Sequence, residues 1–154
     1  MSRITLLVFL MATCGCGNAL DFSFLCDHDE TTLKCVKYVR NYDGDTITFN
    51  IPKIHPIIGK KMPIRLKSVD TPEMNGKSEC ERLVARKAQK VVQEYLSGQP
   101  HIQLKNIKRG HYFRIVADVY VDNRSLSEYL LRLGLAYEYD GGKKRTDIDW
   151  CERL

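Results

Sequence analysis

The feature that most limits how this sequence can fold is one long amphipathic helix, which we predict over residues 78–97. Its apolar face recurs at steps of three and four residues and consists of Val84, Ala88, Val91 and Tyr95. Gly98 and Pro100 follow and should end the helix. A helix with one apolar face needs a second layer to cover that face. With 154 residues, the chain can supply one such core but hardly two.

The segments on either side of this helix have the pattern of short strands. Three are predicted before it, at residues 36–40, 46–51 and 63–69, and two after it, at residues 101–107 and 113–121. Residues 52–61 contain proline and glycine and are predicted as a loop. Five short strands with helices between them are typical of an α+β fold, here a small five-stranded Greek-key β-barrel of the OB type with two or three helices.

The end of the chain has weaker but readable signals. Ser125 is a good N-cap for a short helix through Leu133, and Gly134 should close that helix. One more helical turn is expected within residues 147–153. Composition adds little: 44% hydrophobic and 28% charged residues are ordinary for a globular domain. A net charge of +5 permits a polyanionic partner without requiring one.

The first residues have the pattern of a signal peptide. Arg3 precedes an apolar run at residues 4–12, which is about half of what a bilayer span needs. The small residues at 17–19 suit cleavage after Ala19, so we assign residues 1–19 to a signal peptide and expect an exported chain, periplasmic or secreted. The alternative is a lipoprotein modified at Cys14 or Cys16.

Cleavage there would leave four cysteines, at positions 26, 35, 80 and 151. An even number in an exported chain predicts disulfides, and four cysteines allow three connectivities. Pairing Cys26 with Cys35 would close a short loop, and pairing Cys80 with Cys151 would tie the tail to a helix. The alternative is zinc held by Cys26, His28 and Cys35, which is weaker because no C-x-x-C pair is present.

Three polar segments combine residue types that suit phosphodiester chemistry. They are residues 43–46 (Asp-Gly-Asp-Thr), residues 64–73, with Arg65 in a strand and Asp70 and Glu73 at its exit, and residues 108–114, ending in Arg114. Taken singly, each is more readily explained as a turn, a strand end or a solvated surface. Together they offer hard oxygen ligands for calcium and two arginine forks for phosphate oxygens.

These segments resemble the staphylococcal nuclease-like (thermonuclease) family, in the family's order, over residues 34–139. We therefore assign residues 20–33 to an irregular lead-in and residues 34–154 to a nuclease-like domain. The resemblance implies a calcium-dependent phosphodiesterase that hydrolyses DNA and RNA to 3′-phosphate and 5′-hydroxyl ends. It further implies a monomer without a stable protein partner and, in the mature chain, without a transmembrane span.

The resemblance also implies roles for individual residues. Asp45 and Asp70 would ligate Ca²⁺ through carboxylates and Thr71 through its carbonyl, Glu73 would activate the attacking water, and Arg65 and Arg114 would bind the scissile phosphate. Tyr112 would contact a terminal phosphate, and His111 would lie near substrate. Tyr137 or Tyr139 is a candidate for stacking on a base.

Two alternative functions remain open at this point. An envelope structural or partner-binding protein that only kept the barrel would explain the export signal and the cysteines but not the acidic and arginine segments. A non-catalytic OB-type module would bind single-stranded nucleic acid through a basic, aromatic-lined face that includes residues 143–145. Such a module has no use for Glu73, because a carboxylate repels phosphate. Glu73 therefore distinguishes the enzyme from the binding protein.

Overall fold

The computed structural model describes residues 26–110 and 114–154. The predicted signal peptide with Cys14 and Cys16, part of the lead-in, and His111 and Tyr112 lie outside the described residues. Within the two described stretches, no helix combines the length and apolar character that crossing a bilayer requires.

Strands and helices alternate along the chain. The strands are β1 (Leu33–Asn41), β2 (Thr46–Asn50), β3 (Met62–Leu66), β4 (Val69–Asp70), β5 (Ile102–Arg109), β6 (Ile115–Val121), β7 (Arg124–Ser125) and β8 (Tyr137–Glu138). The helices are α1 (Pro56–Gly59), α2 (Glu79–Leu96) and α3 (Leu126–Arg132), and a 3₁₀ turn spans Cys151–Arg153.

Five strands close into the predicted barrel. Their order is β3-β2-β1-β5-β6, and β3 also pairs in parallel with β6, which closes the barrel. All other pairings within it are antiparallel. The short β4 and β8 form a separate antiparallel pair beside the barrel. The predicted fold class, an α+β fold on an OB-type barrel with three helices, is therefore confirmed.

The apolar face of α2 packs on the barrel as expected. Val84, Ala88, Val92 and Leu96 are fully buried and belong to the same core as the inward side chains of the strands. Ser78 caps the helix, because its side chain accepts a hydrogen bond from the backbone N of Glu81. α3 has the same device, with Ser125 accepting from the backbone N of Glu128.

Two local predictions are wrong. The strand predicted over residues 63–69 ends at Leu66, because Ser68 has a left-handed backbone (φ 65°) that turns the chain out of the barrel and into β4. The loop predicted over residues 52–61 contains α1, a single turn that begins at Pro56. Proline suits the first turn of a helix, where its missing N–H needs no partner.

The four described cysteines form two disulfides, Cys26–Cys35 and Cys80–Cys151. The zinc alternative is therefore wrong, because both of its thiols are oxidised. His28 instead joins two backbone segments: its Nε2 donates to the Pro52 carbonyl at 2.6 Å, and its Nδ1 accepts from the Lys34 N–H at 3.1 Å.

Candidate active site

The turn between β1 and β2 places the first acidic residues. The side chain of Asp43 accepts hydrogen bonds from the backbone N of Asp45 (3.0 Å) and of Thr46 (2.6 Å). Asp43 is 7% exposed, and its burial raises the pKa of its carboxyl group. Asp43 therefore holds the turn together, which leaves the Asp45 carboxylate free to point toward β3 and β4.

Gly44 lets this turn approach its neighbours closely. A Cβ at this position would lie 2.7 Å from Thr71 Cγ2 and 3.0 Å from the Ala88 Cβ, closer than ordinary packing permits. The β1–β2 turn, the segment after β4 and helix α2 consequently meet at one point. Only glycine fits there.

Arg65 brings together carboxylates from two different strand ends. It is opposite Thr46 in the β2–β3 register, and its guanidinium contacts both Asp45 and Asp70. Asp45 and Asp70 are only 5% and 2% exposed. Two buried carboxylates require compensating positive charge, and Arg65 supplies the first part of it.

Thr71 donates two hydrogen bonds to the carboxylate oxygen of Asp45 that faces away from Arg65. Its backbone N and its hydroxyl both donate to Asp45 Oδ2, at 2.9 and 2.8 Å. Thr71 is 3% exposed, so these bonds are shielded from water. They fix the orientation of the Asp45 carboxylate and leave Oδ1 toward Arg65.

Tyr137 holds Asp70 from the opposite side. The two residues are paired in the β4–β8 register, and the tyrosine hydroxyl donates to Asp70 Oδ2 at 2.6 Å. Burial, followed by the hydrogen bond to Asp70, raises the pKa of Tyr137 to about 12. With only 6% of its surface exposed, Tyr137 is not available to stack on a base. The suggestion that it does so is therefore wrong.

Lys144 connects Glu73 with the cluster that Asp45, Arg65 and Asp70 form. Its Nζ lies 2.5 Å from Glu73 Oε1 and 3.1 Å from Asp70 Oδ1. Burial opposes the charge on Lys144, but hydrogen bonds to Glu73 and Asp70 outweigh it and raise the pKa of this lysine. The Glu73 side chain is 53% exposed and therefore accessible to solvent.

The position of Arg114 relative to these residues follows from the strand register. Arg114 immediately precedes β6, whose Val116 is opposite Arg65 in the parallel β3–β6 register. Position 114 is two residues earlier and so falls on the same side of the sheet as Arg65. Arg114 is exposed, and among the described residues its guanidinium has no ion-pair partner. The predicted residues Arg65, Asp45, Asp70, Thr71 and Glu73 are thus in one cluster, whereas Arg114 shares only the side of the sheet on which Arg65 lies.

A family model described as staphylococcal nuclease homologue matches residues 63–151, more than half of the chain. The chain belongs to the staphylococcal nuclease family. The match includes Arg65, Asp70, Thr71, Glu73 and Arg114, and it begins after Asp45.

Two curated relatives from Bacillus subtilis (strain 168) share the same region. Endonuclease YncB is 36% identical over 115 residues, which are 70% of this chain and 51% of that protein. SPbeta prophage-derived endonuclease YokF is 35% identical over 115 residues, 70% of this chain and 36% of that protein. The chain therefore spans about half of the first relative and about a third of the second.

Two members of this cluster are not predicted from the sequence. The sequence suggests Tyr137 only as a stacking residue, and Lys144 only as part of the basic segment 143–145. Both reach Asp70 across a sequence separation of about seventy residues. No local signal marks such contacts, because β8 and the segment after it are placed by pairing and by the Cys80–Cys151 disulfide.

The cluster has the donor chemistry of a hard-cation site. A single guanidinium contacts Asp45 Oδ1 and Asp70 Oδ1, so these two oxygens from different strands converge within its span. No three acidic, histidine or cysteine side chains of residues 26–110 and 114–154 form a metal cage, and Glu73 is engaged by Lys144. Calcium takes six to eight oxygens and accepts carbonyls and water, so two carboxylates fit such an ion when other oxygens complete the shell.

Proposed function

We propose that this protein is a calcium-dependent nuclease that hydrolyses phosphodiester bonds in DNA and RNA. The observation that supports it most strongly is the arrangement around Arg65, which contacts buried carboxylates from two strand ends. Lys144 links Glu73 to one of them. Two relatives named as endonucleases share this region of the chain.

In this proposal, Asp45, Asp70 and the Thr71 carbonyl hold Ca²⁺. When bound, the ion would neutralise the phosphodiester and lower the pKa of a water molecule. The protein's part is to orient the ligands: Thr71 fixes Asp45 through two hydrogen bonds, and Tyr137 fixes Asp70 through one. Ligands held in this way need no reorganisation during the reaction.

Glu73 is the proposed general base. Its side chain is half exposed and adjacent to the carboxylate cluster, so a water molecule can reach it. Glu73 would take a proton from that water as its oxygen bonds to the phosphorus, and the bond from phosphorus to the 5′ oxygen would break, with the departing 5′ oxygen taking up a proton from solvent. The products would have 3′-phosphate and 5′-hydroxyl ends.

Arg65 and Arg114 are the proposed phosphate ligands. The parallel register pairs Arg65 with Val116, two residues after Arg114, and this shared side of the β3–β6 pair supports a joint role for the two arginines. Guanidinium forks match the planar oxygens of a phosphodiester and stabilise the charge that builds on them. His111 and Tyr112, just before Arg114 in sequence, would contact the rest of the substrate.

Export is part of the proposal. The two disulfides are typical of an oxidising compartment, which supports a periplasmic or secreted protein. We expect it to act as a monomer on nucleic acid outside the cytoplasm.

The test is digestion of labelled single- and double-stranded DNA and RNA by the full chain, with calcium and then with chelator. We expect cleavage only with calcium, and 3′-phosphate and 5′-hydroxyl ends on the products. Glu73→Gln should lose at least about 100-fold in rate. Glu79→Gln, a neighbouring exposed carboxylate in the first turn of α2, is the matched control and should keep full activity.

Two results would refute the proposal. Equal cleavage with and without chelator would remove the role of the metal. Tight binding of single-stranded DNA without any cleavage would instead indicate a non-catalytic OB-type binding protein.

A further inference from the structure

The loop between β2 and β3 exposes apolar side chains in a strongly basic setting. This loop, residues 52–61, is called the tip below. Ile57 and Ile58 are 82% and 55% exposed, the most exposed pair of adjacent large apolar residues in the described chain. From position 51 to position 61 the sequence has three lysines, one histidine and no acidic residue. Single exposed apolar residues are common, but a pair among lysines is not explained by folding alone.

The exposure of the two isoleucines is imposed by an ordered backbone. His55 caps α1 by accepting from the backbone N of Ile57, and its carbonyl accepts from the backbone N of Ile58 and of Gly59. Gly59 is buried, and its carbonyl accepts from Ile51 N at 2.7 Å. Ile51 and Ile54, by contrast, pack against the core. Ile54 of the tip and the preceding Ile51 therefore face inward, whereas Ile57 and Ile58 face outward.

The tip also lies far from the candidate active site. Asp45 and Arg65 are at the end of the β2–β3 hairpin where Thr46 pairs with Arg65. The tip is at the other end, beyond Asn50 and Met62. With about 3.3 Å per residue, β2 alone separates the two ends by about 13 Å. A surface bound by the tip would leave the active site facing away from that surface.

The chemistry of the tip fits a lipid surface better than a protein partner. A stable protein interface buries about 1,200 Å² or more, far beyond what two isoleucines offer. A bilayer needs no matching shape, since apolar side chains enter the boundary between headgroups and acyl chains, and lysines bind anionic headgroups. Lys60 and Lys61 are both exposed. Lys53 is partly neutralised by Asp27, at 2.6 Å.

We propose that the tip docks this protein on anionic lipid membranes, with Ile57 and Ile58 inserted and Lys60 and Lys61 on the headgroups. The docking is weak and reversible, since two side chains and a few charges give less binding than a lipid anchor. Its consequence is a catalytic end held near the membrane but open to the surrounding solution. This inference rests on the geometry of the tip and stands whether or not the protein cleaves nucleic acid.

The test is co-sedimentation with lipid vesicles of the mature protein, as it is purified from cells. Vesicles of phosphatidylcholine mixed with phosphatidylglycerol should bind it, and vesicles of phosphatidylcholine alone should bind it much less. Higher salt should weaken the binding, because it screens the lysines. Binding that is absent, or equal for both vesicle types, would overturn the proposal.

Variants locate the contact. Ile57→Ser with Ile58→Ser should lower the partition coefficient about tenfold or more. Leu83→Ser with Leu154→Ser, two other exposed apolar positions, should leave it unchanged. Unchanged partitioning of the isoleucine variant would assign membrane binding to another part of the chain and refute the role of the tip.

A second pair of variants tests the charge. Lys60→Gln with Lys61→Asn should lower binding to the anionic vesicles by about tenfold or more, and asparagine tolerates the left-handed backbone of position 61 (φ 53°). Lys87→Gln with Lys90→Gln on α2 is the matched control. If the tip variants changed the solution mass or DNA affinity but not vesicle binding, the tip would be a contact for protein or nucleic acid and the proposal would be wrong.

Discussion

Charged side chains are usually exposed and apolar side chains are usually buried, and each end of the β2–β3 hairpin departs from one of these two rules. At one end, the carboxylates of Asp45 and Asp70 are buried. At the other end, Ile57 and Ile58 face solvent. Both arrangements cost folding free energy, since buried charge and exposed apolar surface are each unfavourable. Regions that a fold maintains against such a cost are candidates for function, and here they lie at opposite ends of one element.

The way each end is held also differs. The acidic end depends on charge compensation by Arg65 and Lys144 and on the nearby Cys80–Cys151 disulfide. The tip end depends on backbone hydrogen bonds and on the lead-in, where His28 binds the Pro52 carbonyl beside the Cys26–Cys35 disulfide. Substitutions that remove charge should therefore lower the free energy of unfolding strongly at the acidic end and hardly at all at the tip.

Arg65→Ala should have the largest effect. It leaves two buried carboxylates with only Lys144 as a counter-charge, so we expect a loss of about 3–5 kcal/mol in the free energy of unfolding. Nuclease activity should fall by about 100-fold or more. Denaturant titration and single-turnover cleavage measure the two effects.

Arg114→Ala is the control for this prediction. Arg114 is exposed, so the free energy of unfolding should change by less than about 0.5 kcal/mol while activity still falls. An equal loss of stability in both variants would show that the buried charges are not what Arg65 compensates.

Replacing the cysteines of each disulfide by serines should have different effects at the two ends of the hairpin. The chain-entropy relation gives about 4 kcal/mol for Cys80–Cys151, whose cysteines have a sequence separation of 71, and about 2–3 kcal/mol for Cys26–Cys35, with a separation of 9. Only loss of the first bond should also lower nuclease activity, because it fixes the tail, whose Trp150 packs on Tyr137, the residue that orients Asp70. Thermal unfolding and cleavage assays of the two double variants measure this, and the reverse order of activity loss would contradict it.

Tyr137→Phe should have a smaller effect. It removes a hydrogen bond to a charged, buried partner, worth about 1.5 kcal/mol in the free energy of unfolding. The pKa of Tyr137 is raised to about 12 in the folded protein, above the ordinary value near 10. The unfolded chain therefore releases this proton first, and stability should fall as pH rises from about 10 toward 12.

The phenylalanine variant should show a shallower fall over the same pH range. Tyr139→Phe, whose hydroxyl bonds to the Gly142 carbonyl at the surface, is the control. If both variants kept the full pH dependence, the ionisation of Tyr137 would not be its source.

Among the residues that contact the buried carboxylates, Lys144→Ala should change the free energy of unfolding least, by at most about 1 kcal/mol, because its side chain is 47% exposed. If the proposed function is correct, calcium should bind more tightly to this variant, since the ammonium no longer competes for Asp70 and Glu73. Isothermal titration calorimetry measures the affinity, and Lys143→Ala is the control. Weaker binding of calcium would show that Lys144 supports the ligands and does not compete.

Local sequence signals predicted much of this fold. Ser78 and Ser125 cap their helices where expected, because capping depends on a few neighbouring residues. The barrel followed from the order of strands. The break at Ser68 was missed, since a serine in left-handed conformation has no sequence signal of its own.

The residues of the candidate site also form two groups, those that sequence motifs predict and those that only the tertiary structure shows. Arg65, Asp45, Asp70, Thr71 and Glu73 were named from motifs that resemble a family, and they lie together. Tyr137 and Lys144 complete the cluster through contacts that depend on tertiary structure. Motifs mark residues beside a turn or strand end, whereas a buried carboxylate is also surrounded by residues from distant parts of the chain.

Gly44 limits how the acidic end of the hairpin can be redesigned. The missing side chain at this position lets three segments touch, so any replacement would push Thr71 or α2 outward by several tenths of an ångström. Because Thr71 is hydrogen-bonded to Asp45, a displacement of Thr71 would also move the Asp45 carboxylate. Combinatorial libraries directed at this region should vary the surrounding positions and keep the glycine invariant.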